Sequence, residues 1–108
     1  MKGLTTGNLG RMSANNEDRE QIANFIATRD PDLREAIILR YVPLVHFVLG
    51  RLGISRQSSD DYDDLVGNGL LGLIDAVDRF DAGHGAQFST YATLRIRGEI
   101  LDHLRKMD

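Results

Sequence analysis

Apolar residues recur along most of this chain at intervals of three and four, the spacing that gathers side chains on one face of a helix. Nowhere do they alternate long enough to make a strand, and the fold class read from the pattern is all-α. From Glu17 to Thr28, Ile22, Phe25 and Ile26 predict a short amphipathic helix. Asp30-Pro31-Asp32 then marks a second start, because Asp can cap free amides and Pro is tolerated where its missing N–H costs nothing. This longer helix is predicted to reach about Leu52, with Leu33, Ile37, Ile38, Tyr41, Val45, Val48, Leu49 and Leu52 on its apolar side. Pro43 falls inside it and cannot donate to Leu39, so a kink or break is expected there. Gly50 and Gly53 loosen its end, Ser55 to Ser59 is a polar loop, and Ser59, Asp60 or Asp61 is expected to cap the next helix.

At about 100° per residue, a third helix puts Tyr62, Leu65, Val66, Gly69, Leu70, Leu73, Val77 and Phe80 on one side. The opposite side holds Asp64, Gly67, Asn68, Leu71, Asp75 and Asp78, so Leu71 is an apolar side chain within an acidic surface. After the loop around Gly83 and Gly85, Ser89 or Thr90 can cap a fourth helix that runs to the chain end. Its apolar side is Thr93, Ile96, Ile100, Leu101 and Leu104, while Phe88, Tyr91, Arg95 and Lys106 group on the other. The pattern predicts a compact bundle of about four helices over residues 17–108, preceded by a flexible Gly-, Ser- and Asn-rich tail over residues 1–16.

With 108 residues, the chain is long enough for one small domain. It has no cysteine, which fits a reducing compartment and removes disulfides and thiolate metal sites. No run of apolar residues is long enough to span a bilayer and no signal-peptide core is visible, so the expected location is cytoplasmic, away from membranes. The formal net charge is −3, which argues against a general nucleic-acid coat; any such contact must be local. Charge is indeed unevenly placed. Asp60 to Asp81 carries seven aspartates against one arginine, whereas Phe88 to Lys106 carries four cations against two acids.

Gly67-Asn68-Gly69-Leu70-Leu71-Gly72 matches a dinucleotide-binding motif by letter, but no strand precedes it and Asp60 to Asp64 would repel phosphate. Gly69, in the core stripe, instead suits a close helix crossing, and Gly67 suits either plain tolerance or the approach of a partner. His46, His84 and His103 lack metal-ligand spacing, and no nucleophile stands beside a base, so neither a metal, a cofactor nor an enzymatic activity is expected. Two surface readings remain. Leu71 with its acidic rim is either a solvated helix face or an apolar anchor for a partner. Phe88 and Tyr91 with Arg95, Arg105 and Lys106 either close the core and pair with Glu99 and Asp102, or stack on bases and track phosphate. Arg97, on the apolar side of the wheel, reads as a structural ion-pair partner.

The ordered run from Asp64 to Arg105, D-L-x-x-x-G-x-x-G-L-x-x-A-x-x-x-F-D followed by G-x-x-F-S-T-Y-A-x-x-x-I-R-G, resembles region 2 of bacterial RNA polymerase sigma factors. Leu33 to Leu52 resembles the helix that leads into it. The wording Tyr91 to Gly98 is more similar to the alternative sigma factors of the flagellar, sporulation and stress group than to housekeeping ones. The resemblance implies that Asp64, Gly67, Asn68, Leu71 and Ile74 dock on the β′ clamp helices of core RNA polymerase. It likewise implies that Phe88, Thr90, Tyr91, Leu94 and Arg95 lie at the non-template strand of the promoter −10 element, with an anti-sigma factor as a further partner. Gly67 stands where glutamine is common, so the resemblance does not carry over one polymerase hydrogen bond. Leu94 and Arg95 stand where housekeeping members carry tryptophans, and since Leu94 cannot stack as tryptophan does, melting is expected to rely on Tyr91 and cations. The run ends at Asp108, short of the remaining promoter-reading segments, and so looks like a fragment or a truncation. The rival expectation is a helical interaction module, a decoy or regulator-binding domain, with no role at DNA.

Overall fold

A computed structural model describes residues 16–81, 83 and 85–107, and among them every regular element is a helix. The expected tail falls almost wholly outside the described residues, as do His84 and Asp108. Four helices follow in order: α1 (16–28), α2 (Pro31–Arg51), α3 (Tyr62–Arg79) and α4 (Phe88–Lys106).

The start of α2 is built as its sequence requires. Asp30 is extended, its Oδ1 accepts from the Asp32 amide at 2.8 Å, and Pro31 occupies the first turn. Pro43 does not break the helix, which continues to Arg51. Pro43 and Leu39 are one turn apart on the exposed side, where the Leu39 carbonyl released by proline can face water. The end is a Schellman turn: Gly53, at φ 79°, donates to the Gly50 carbonyl, and Ile54 donates to the Leu49 carbonyl, both at 3.0 Å. Ile54 then packs against the core beside Leu49.

Two predicted caps differ from the structure. Asp61 occupies the cap position of α3 without a side-chain capping bond, and its own amide donates to Ser59 Oγ at 3.2 Å. The α4 helix begins one residue before Ser89, with Gln87 at its cap position, so Ser89 and Thr90 lie in the first turn. There Ser89 contributes its backbone carbonyl, which accepts from Thr93 Oγ1 at 2.7 Å.

The core is a single cluster in which Phe25, Ile37, Val45, Leu49, Leu65, Leu73, Ile96 and Ile100 are all buried. Of its helix pairs, α3 and α4 pack most extensively. They approach closely because α3 has no side chain at two contact points. A β-carbon on Gly72 would stand 2.7 Å from the Arg95 carbonyl oxygen and 2.9 Å from the Ile96 α-carbon. A β-carbon on Gly69 would meet a methyl of Val45 at 2.5 Å, a side chain rather than backbone. The wheel placed Gly69 correctly and missed Gly72 and Ala76, which complete the buried stripe.

Between α2 and α3 an ion pair adds to the apolar contacts of the core. Arg34 donates from Nε and Nη2 to the two carboxylate oxygens of Asp78 at 2.7 and 3.0 Å, and Arg29 adds a bond to the Asp78 carbonyl at 3.2 Å. The hydrogen bond from Arg34 holds the Asp78 carboxyl below its usual value, against a smaller opposing effect of burial.

In urea or thermal unfolding, Gly72→Ala should destabilise the fold by about 2 kcal/mol, because backbone cannot yield as a side chain can. Gly67→Ala should stabilise it by roughly 0.5–1 kcal/mol, since an added methyl at Gly67 meets nothing within 4 Å. A depressed folded pKa means that the Asp78 contribution is present above the unfolded value near about 4 and is lost as pH falls through the folded value. Both partners are near two-fifths exposed, so the acid-sensitive part removed by Asp78→Asn should stay below about 1 kcal/mol in unfolding measured between neutral pH and pH ~3.

Candidate polymerase and nucleic-acid surfaces

Burial of Leu65, Gly69, Gly72, Leu73 and Ala76 turns the other side of α3 outward. Asp64, Gly67, Asn68, Leu71 and Ile74 share that side, over about 15 Å of helix. Asp64 and Gly67 are exposed, Asn68 and Ile74 are intermediate, and Leu71 leaves 61% of its surface open. Asn68 Nδ2 donates to the Asp64 carbonyl at 2.8 Å, which holds its side chain along the helix.

The acidic rim around Leu71 is smaller than the sequence suggested. Asp75 is held by Arg79 at 2.7 Å and by Arg95 of α4, and Asp78 is held by Arg34. Asp63 pairs with Arg56 at 3.0 Å, and that guanidinium also covers the Tyr62 ring at 4.9 Å. Asp64 makes no ion pair among the described residues. The surface is thus an exposed leucine among polar groups, most of whose charges are already balanced within the fold. Such a patch can dock an apolar side chain without uncovering many unpaired acids.

The α4 surface differs more from expectation. Phe88 does not belong to it: only 5% of its surface is exposed, and its ring stands edge-on to Tyr41 at 5.0 Å and to Phe80 at 5.4 Å. An apolar ring beside two aromatic neighbours gains more from burial than from exposure at the first turn of a helix. Tyr91 is half-buried, with its ring 5.6 Å from Phe80. Thr90 is exposed, and Leu94, one turn on, is 64% exposed. Arg95 is half-buried on Asp75, and its Nε is enclosed without a partner. The structure therefore brings Thr90, Tyr91, Leu94 and Arg95 along one side of α4 and removes Phe88 to the core. Arg105 and Lys106 share Asp102, each at 3.2 Å, and together they hold its carboxyl below the usual range, Lys106 having the larger effect.

Arg97 was misplaced by the wheel: it is exposed, and it makes no ion pair among the described residues. With Phe47 and Arg51 of α2 and Leu52 just beyond its end, it lines a groove of about 400 Å³. The spacing Thr90, Leu94, Arg97 was the available signal, because it continues one exposed row. A second cavity, about 370 Å³, lies where α1 meets the start of α4, among Ile22, Ile26, Tyr41, Phe80, Gln87 and Phe88. Burial, followed by the nearby Asp18 carboxylate, raises the Tyr41 phenol above its usual value, while Arg40 opposes this. This cavity depends on α1 folding back against Tyr41, a tertiary contact that no single helical wheel reports. Among the described residues no group of three His, Cys, Asp or Glu side chains could hold a metal ion, and no helix is long and apolar enough to cross a membrane.

Comparison with known proteins identifies the stretch in which α3 and α4 lie. Residues 37–108 match the family model Sigma-70 region 2. Over 96 residues the chain is 41% identical to the RNA polymerase sigma-D factor of Bacillus subtilis, an alignment covering 89% of this chain and 38% of that protein. It is 47% identical to the RNA polymerase sigma factor FliA of Pseudomonas aeruginosa over 79 residues, covering 69% of this chain and 30% of that protein. With FliA of Salmonella typhimurium the identity is 51% over 69 residues, covering 64% of this chain and 29% of that protein. The chain thus spans about a third of the length of these relatives. With a family match over two thirds of the residues and a 41% identical relative aligned over 89% of the chain, the chain belongs to the sigma-70 region 2 family, in keeping with the flagellar-type group that its Tyr91–Gly98 wording resembles.

Proposed function

We propose that this chain is a transcription-initiation module that docks on the β′ clamp helices of core RNA polymerase through α3 and holds the non-template strand of the promoter −10 element along α4. The observation that carries the reading is Leu71, 61% exposed at the centre of the outer α3 face while the other side of that helix fills the core. An apolar side chain so placed gains from a partner that covers it. Asp64, Gly67, Asn68 and Ile74 extend the same face, and the open space over Gly67 admits a partner's side chain or backbone.

On α4, Thr90, the accessible edge of Tyr91, Leu94 and Arg95 meet the strand. Leu94 stands at the surface as an apolar wedge that an unstacked base can cover. Holding such a base shifts the duplex toward its open state without any covalent step. A contact of about 1–3 kcal/mol is enough to matter where the pairs are A·T. An anti-sigma factor that covers Leu71 would compete with polymerase for the same face. With a net charge of −3, the chain alone binds DNA weakly, and polymerase supplies the rest of the affinity.

The direct test is retention of the chain on immobilised core RNA polymerase. Wild type should be retained, and Leu71→Asp should weaken retention at least tenfold, corresponding to about 1.4 kcal/mol or more. Its circular-dichroism melt should barely change, since Leu71 lies outside the core cluster. A folded wild-type chain that is not retained would identify a helical interaction module with a different partner. For the strand, Leu94→Asp should reduce binding of a −10 non-template oligonucleotide to the polymerase-bound chain several-fold, as read by fluorescence anisotropy. Unchanged binding would remove Leu94 from the strand path.

A further inference from the structure

One ion pair joins the two surfaces. Asp75 lies one turn beyond Leu71 on α3, and both of its carboxylate oxygens are engaged: Oδ1 by Arg79 Nε at 2.7 Å, Oδ2 by Arg95 of α4. Arg95 stands opposite that partner where the backbones of α3 and α4 meet at Gly72. Its backbone is pressed against Gly72, three residues before Asp75, and its guanidinium reaches the Asp75 carboxylate. The guanidinium remains partly exposed, with 41% of the side chain open, while its Nε is enclosed without a partner. The bond to Asp75 therefore ties up the cation that lies beside Tyr91 and Leu94 on the α4 surface.

We propose that Asp75 is a positioning residue that withholds Arg95 from nucleic acid in the free chain, and that a cation brought in by the partner covering Leu71 releases it. The proposal rests on the reading of the α3 and α4 surfaces given above. Carboxylate and phosphate are alternative ligands for the same guanidinium fork, so Asp75 is an internal competitor for the strand. Leu71 and Asp75 are one turn apart on the same helix. A partner that buries the first must contact or closely approach the second. If that partner presents a lysine or arginine to Asp75, Arg95 loses its carboxylate and becomes available for a phosphodiester. Linkage then requires the converse: strand binding at Arg95 strengthens docking by the same factor. An ion pair at a half-exposed site is a modest competitor, so the expected coupling is about three- to tenfold.

The experiment titrates a fluorescent, A/T-rich −10 non-template oligonucleotide with the whole chain at low salt, alone and bound to core RNA polymerase. Free Asp75→Asn should bind about three- to tenfold tighter than free wild type, and the slope of log affinity against log salt should steepen by about 0.7, one further phosphate on a single strand. Adding Arg95→Gln should abolish that gain. In the polymerase complex, Asp75→Asn and wild type should converge. A second route does not depend on how Asp75→Asn folds. Arg95→Gln alone should cost little in the free chain and several-fold in the complex. Equal affinity of free Asp75→Asn and wild type, a gain that survives Arg95→Gln, or equal cost of Arg95→Gln in both states would each overturn the withholding. Failure of wild type with polymerase to bind the oligonucleotide would overturn the strand reading itself, so the two failures are distinguishable.

Discussion

The absence of a side chain at Gly72 sets the distance between α3 and α4, and with it the direction of nearly every other residue in the two helices. With the Arg95 carbonyl and the Ile96 α-carbon in contact range of that glycine, neither helix can rotate without backbone meeting backbone. Leu73, Ala76 and Ile96 are driven inward, and the same rotation sends Leu71 and Leu94 outward. Two exposed leucines on neighbouring helices are therefore consequences of one contact. Each would be an unremarked surface side chain if it stood alone; their common origin makes them the outer faces of one rigid crossing.

Around this crossing the remaining specificity is shared between rings and ions. Tyr41, Phe80, Phe88 and Tyr91 form a chain of mostly edge-on contacts that closes the end of the bundle where α4 begins. Arg34 with Asp78, and Arg95 with Asp75, fasten α3 to its two neighbours. Half-exposed pairs of this kind add little to stability compared with the apolar core. Their larger effect is on which charges the surface still offers. A face that reads as strongly acidic in sequence becomes a nearly balanced one in the fold.

Much of the fold was legible because helical periodicity is a local property. The start of α2 at Asp30-Pro31, the buried stripe of α3 and the outward position of Leu71 all follow from residues within a few turns of one another. The resemblance carried by the Asp64 to Arg105 run supplied the family. What the sequence hid was long-range. Asp75 and Asp78 appeared as parts of a solvated rim because the partners that tie them across the fold, Arg95 and Arg34, lie in other helices, 20 and 44 residues away. Phe88 grouped with Tyr91 on a wheel, yet the aromatic neighbours that bury it come from α2 and from the end of α3. Gly72 looked like one more glycine in a helical run until the backbone it touches was in place. Arg97 was assigned inward by its angle, although the groove beside it is open.

The internal pairing of Asp75 and Asp78 also changes how a cationic surface would meet this chain from a distance. Asp60, Asp61 and Asp64, at the N-terminal end of α3, make no ion pair among the described residues. The field beyond one Debye length is weak for paired charges and strongest for these. On the proposed docking reading, diffusional encounter would thus be steered toward one end of the helix, and Leu71 would be reached afterwards as the two surfaces roll together. The unpaired aspartates would then govern how fast, and in which orientation, the complex begins, and the leucine how long it lasts.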